Sequence, residues 1–161
     1  MRRDVKLYNL IFPMWGIYAF GVLFPAFLLI LLPANFIVDT LVLLLLFWRL
    51  KLPEKKALYG KSIWKAWGFG FLADFLSSAV FIGLSEMVDF WDHGVNVYLP
   101  YSSLPSFLFT TGAVVLAGVL IYFFHLKYVW SKIEIEAGQK KKIALGMAIL
   151  TAPYLMYLPP M

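Results

Sequence analysis

The sequence predicts an all-α, polytopic transmembrane bundle of about five helices, and three observations predict it. Hydrophobic residues make up 62% of the 161 and charged residues only 14%, against the roughly 25% charged that covers a soluble domain. The apolar residues come in runs near the ~20 needed to cross a hydrocarbon core about 30 Å thick. All 14 Lys and Arg fall on one side of a five-span arrangement. At this length the chain is read as one integral membrane domain, residues 1–161.

The first predicted span covers about 10–32, and Pro33-Ala34-Asn35 is read as the turn that ends it. The second covers about 36–50, the third 62–85, the fourth 105–126 and the fifth 143–158. The second and fifth hold only 15 and 16 residues, or ~24 Å at 1.5 Å per residue, so both need local thinning or an extra turn. Pro25 inside the first span and Pro153 inside the fifth each remove a backbone hydrogen bond and are expected to kink their helices, whereas Pro13 lies near a helix start.

Charge sets the orientation. Arg2, Arg3 and Lys6 precede the first span. Arg49, Lys51, Lys55, Lys56, Lys61 and Lys65 surround the second connection, and Lys127, Lys132, Lys140, Lys141 and Lys142 surround the fourth. The Pro33 turn, the 86–104 loop and the C-terminal residues carry none. The positive-inside rule then places the N-terminus in the cytoplasm and the C-terminus outside, in the inner or plasma membrane. The net charge of +5 is thus a topology signal and calls for no nucleic-acid partner. No cleavable signal is predicted, because Leu7 to Val38 runs without a charge and is longer than a signal's apolar region.

Small residues mark packing faces. Ala144, Ala148 and Ala152 recur every four residues on the fifth span, Ala113 and Ala117 on the fourth, and Gly68 and Gly70 lie in the third. Such faces let helices approach closely in lipid, within the chain, in a homo-oligomer or against a partner membrane subunit. The 86–104 loop is aromatic and acidic and is expected on the outer membrane surface through Trp91, Tyr98 and Tyr101. The Lys140–Lys142 cluster is a topology determinant with anionic-lipid contact as a secondary effect.

Two carboxyl groups inside apolar spans carry the candidate chemistry. A charge at mid-depth costs several kcal/mol on the most lenient scale (~2.5–3.5), so Asp39 and Asp74 each need a partner, a cavity or a proton. Asp74 is 12 and 11 residues from the two ends of the 62–85 span, close to mid-membrane, with Ser78 four residues on and Ser77 adjacent. Asp39 is expected ~6 Å from the outer turn, sharing a face with Asn35. Thr110 and Thr111 on the fourth span and Thr151 on the fifth are expected near the same levels. Asn35, Asp39, Thr110, Thr111 and the deeper Asp74 are read as candidate lining of a vestibule, or as separate satisfied polar groups. The candidate substrate- or ion-binding residues are therefore Asp74, Asp39, Asn35, Ser78, Thr110 and Thr151.

Other chemistries find little support. Cysteine is absent, which removes disulfides, thiolate catalysis and Cys-ligated metals. No cofactor is expected, and Asp89, Asp92 and His93 in one loop are a weak metal-ligand pattern. His125 is expected at the cytoplasmic interface beside Lys127. Asn35 to Asp39 resembles the Asn-x3-Asp element of lipoprotein signal peptidases, small membrane aspartyl proteases. Here the element precedes the other aspartate, the surrounding pattern is missing, and an expected depth offset of ~10 Å separates the two carboxyls. No residue of that family is carried over. There is no His-Glu-x2-His, Gly-x-Ser-x-Gly or Walker loop. The leading expectation is a transport or channel protein, or the membrane subunit of one, for a cation, proton or small polar solute. The alternatives are a non-enzymatic accessory, assembly or immunity membrane protein and, behind it, an intramembrane or lipid-processing enzyme.

Overall fold

The computed structural model describes residues 25–87, 95–96 and 99–158. They form a helical bundle, and no strand occurs among them. Helix α1 is Pro25–Arg49, α2 is Lys55–Met87, and α3 is Leu104–Phe124, prolonged by a π-helical turn over His125–Val129. Helix α4 is Ala137–Leu150, followed by a 3-10 turn at Tyr154–Tyr157. Three stretches are long and apolar enough to cross a membrane: Leu32–Arg49, Lys55–Leu84 and Leu104–Val129.

The turn predicted at Pro33-Ala34-Asn35 does not form. Helix α1 runs through it, with Pro33 inside. Proline here withholds one N–H from the Leu29 carbonyl, whereas a turn in lipid would strand several backbone groups at once. Continuation is the cheaper solution, and it absorbs the short 36–50 segment into a 25-residue helix. Residues 25–32, predicted as the end of the first span, are thus part of α1. Pro25 is the first of the described residues, so a bend there, like Pro13 and residues 10–24, lies outside them.

The end of α1 is built by the chain itself. Lys51 donates its N–H to the Trp48 carbonyl at 3.1 Å and Leu52 to the Phe47 carbonyl at 3.1 Å. With Lys51 left-handed at φ 50°, this is a Schellman stop. Leu52 turns inward to the core, and α2 starts three residues later at Lys55. At the other end of the bundle, Ser103 caps α3 by accepting from the Ser106 N–H at 3.2 Å, with Pro105 in the first turn.

The fifth predicted span, 143–158, is not one helix. Helix α4 begins earlier, at Ala137, and stops at Leu150 after 14 residues, ~21 Å. Pro153 ends the helix rather than bending it. It has no N–H for the Ile149 carbonyl, and it disfavours helical geometry at the residue before it. The Tyr154 hydroxyl donates to that Ile149 carbonyl at 2.5 Å and replaces the missing bond. Both the N–H and the Oγ1 of Thr151 fall back on the Met147 carbonyl, at 2.9 and 2.8 Å. Beyond the break the chain still follows α3 in antiparallel sense. The Ala148 carbonyl lies against Gly118, the Tyr157 hydroxyl donates to Thr111 Oγ1 at 3.0 Å, and its ring packs on Phe107.

Each helix packs on two neighbours in the cyclic order α1, α2, α3, α4. One apolar cluster occupies the end where α1 meets α2 and α3 meets α4, and gathers Phe47, Leu52, Val129, Trp130 and Ile143. The two lysine-rich connections therefore share that end. A second cluster of Ala113, Val114, Ala152 and Met156 lies further along α3 and the C-terminal segment. The predicted small-residue face is spent within the chain, since Ala144, Ala148 and Ala152 are all buried. Ala144→Leu is accordingly expected to overpack the α3–α4–α1 junction and cost about 1–3 kcal/mol. A thermal melt in detergent indistinguishable from wild type would refute that tight contact.

Candidate functional site

Asp39 and Asp74 come from neighbouring helices, α1 and α2. Because α1 does not end at Pro33, Asp39 lies 14 residues after Pro25 and 10 before Arg49, well inside its helix. It is 2% exposed and Asp74 is 4% exposed. The expected placement of Asp39 near an outer turn is therefore corrected.

The glycine at position 70 sets the approach of the two helices. A Cβ built there would stand 3.5 Å from Asp39 Oδ2, so the carboxyl of α1 rests directly on the α2 backbone. Gly70, Asp74 and Ser78 repeat every four residues and share one face of α2. The Asp39 carboxyl thus sits one helical turn, ~6 Å, from the level of Asp74. The expected ~10 Å offset does not hold.

This strip is rich in buried polar atoms that make no hydrogen bond among the described residues. They are Asp39 Oδ2, Asp74 Oδ1, Ser78 Oγ and Trp67 Nε1. A buried polar atom without a partner costs about 1–3 kcal/mol, so these four atoms make the strip the most polar part of an otherwise apolar pair of helices. Ser77, beside this seam, is spent otherwise. Its hydroxyl donates to the Ala113 carbonyl at 2.6 Å and locks α2 to α3 at that level.

The remaining predicted residues have other engagements. Asn35 is half-buried one turn before Asp39 on α1. Thr110 is buried and donates to the Ser106 carbonyl at 3.1 Å, while Thr111 donates to the Phe107 carbonyl at 2.7 Å. Thr151 bonds back to Met147, as described above. These three hydroxyls are turned onto their own helices. Asp89, Asp92, His93, Trp91 and Tyr98 lie outside the described residues, and Tyr101 is exposed. Among the described residues no group of three His, Cys, Asp or Glu is arranged to hold a metal ion.

His125 is placed differently from its expectation. It is fully buried at the start of the π-helical turn, turned inward against α2 beside Ala66 instead of outward beside Lys127. Trp67 was not singled out by the sequence. Its spacing of three residues from Gly70 is the signal that would have joined it to the strip. Comparison with protein-family models, curated proteins and solved structures gives no match, so the functional reading rests on this geometry.

Proposed function

We propose that this is a membrane transport or channel protein, or the membrane subunit of one, in which Asp39 and Asp74 bind a proton or a small cation in transit. The observation that carries the reading is the carboxyl pair itself, buried midway along two apolar helices at a glycine contact. Two carboxylates about one helical turn apart in hydrocarbon cannot both carry charge at low cost. One proton or one monovalent cation neutralises a single negative charge on the pair. Ser78 Oγ and Trp67 Nε1 supply further polar contacts along the same seam. A small polar solute with a cationic group would satisfy the same pair. Purified protein in liposomes with an entrapped pH dye, driven by a potassium gradient, tests this. Protein-dependent flux of protons or alkali cations is expected, and no flux above empty vesicles with any of them would refute it.

The proposed topology is N-in and C-out. It is supported by the two basic connections sharing one end of the bundle. From there α2 leads outward, α3 returns, and α4 with its 3-10 turn runs back alongside α3. The five-pass form of the proposal rests on the charge rule alone, which puts Arg2, Arg3 and Lys6 on the same side as these connections. A tag after Met161 should be accessible on intact cells and one before Arg2 should not. Both tags on one side would overturn the five-pass arrangement.

One observation favours the second reading, a non-enzymatic accessory, assembly or immunity subunit. Helix α2 opens onto empty space at Gly68, where another helix can approach closely. Under that reading Gly68→Leu breaks a complex while Asp74→Asn is tolerated.

A further inference from the structure

A groove of about 570 Å³ runs between α3 and α4 on the outside of the bundle. Its floor is low because Gly118 meets the Ala148 backbone and Ala152 follows at the helix break. Val119 and Leu145 form its rims and face outward. Lys141 and Lys142 close one end, toward the basic side of the bundle, and the lining contains no carboxylate. At the far end stand Tyr154 and Tyr157, whose hydroxyls are engaged with Ile149 and Thr111.

Dimensions select the occupant. From Val114 to Phe123 the groove follows α3 for ~14 Å, about half of a ~30 Å hydrocarbon core and so one leaflet. That length and the apolar lining match one acyl chain, and two lysines at one end with no carboxylate in the lining match an anionic headgroup above it. We propose that the groove between α3 and α4 binds one acyl chain of an anionic glycerophospholipid whose phosphate sits on Lys141 and Lys142. The two ammonium groups stand at the leaflet surface, on the second turn of α4. This inference requires only that the chain lies in a bilayer, and it is independent of what Asp39 and Asp74 carry.

Native mass spectrometry of the full chain, titrated with phosphatidylglycerol or phosphatidylcholine of identical acyl chains, tests the proposal. Wild type should prefer phosphatidylglycerol. Lys141→Gln with Lys142→Gln should weaken that lipid about 30-fold, roughly fivefold per lysine, and leave phosphatidylcholine unchanged. Val119→Trp fills the groove from its exposed rim without entering the core, and should reduce binding of both lipids. Lys56→Gln with Lys61→Gln, which removes equal charge outside the groove, should change neither. Equal affinity of wild type for the two lipids would overturn the proposal. So would unchanged phosphatidylglycerol binding in Val119→Trp, or an equal loss in the Lys56 and Lys61 control.

Discussion

Asp74→Asn is expected to leave expression and melting close to wild type while reducing proton or cation flux by ~100-fold or more, the scale on which a titrating group acts in proton transfer. An amide keeps the size and hydrogen-bonding capacity of the carboxyl but cannot bind or release a proton near neutral pH. It also keeps the packing at this buried position, so the fold gains or loses little. Asp39→Asn should behave alike, and the double variant should be no worse than either single one, because the pair acts as a unit. Flux in proteoliposomes, read beside a thermal melt of the same samples, checks this. A fully active Asp74→Asn protein across the working pH range would assign the carboxyl pair a structural role and shift the reading to the accessory-subunit alternative.

The largest effect on stability is expected at Trp130. Its side chain is fully buried in the connection between α3 and α4, edge-on to Phe47 of α1 with ring centroids 6.0 Å apart. It is the common wall against which the α1 stop, the π-helical turn and the start of α4 pack. Trp130→Ala should therefore cost about 3–5 kcal/mol, through lost contact and the cavity left behind. The indole N–H makes no hydrogen bond among the described residues, so Trp130→Phe loses volume but no polar partner and should cost far less. Trp64→Ala, at an exposed position on α2, should leave the detergent melt nearly unchanged. Equal melting shifts for Trp130→Ala and Trp64→Ala would show that the basic end is not held by this core.

The helical, apolar character of the described residues was determined by the sequence alone. Composition and run length decide it, because in hydrocarbon every backbone group must be bonded within its own segment. The helical stretches within 62–85 and 105–126 follow from that, as does the mid-helix position of Asp74. The clustering of Lys and Arg into a few segments was equally legible, since it needs only counting.

Three features were decided by tertiary structure. Pro33 reads as a turn in isolation, but a helix in a bundle loses less by continuing through one proline than by stopping. Pro153 reads as a kink, yet it becomes a stop because the Tyr154 hydroxyl is placed to take the orphaned Ile149 carbonyl. Above all, the meeting of Asp39 with the Asp74 face depends on the register between α1 and α2. That register is set by the Schellman stop at Lys51 and the bare backbone at Gly70. Helical periodicity tells which residues share a face of one helix, but carries no information on how far two helices slide along each other. Packing alone fixes that slide, and with it the juxtaposition of the two carboxyl groups.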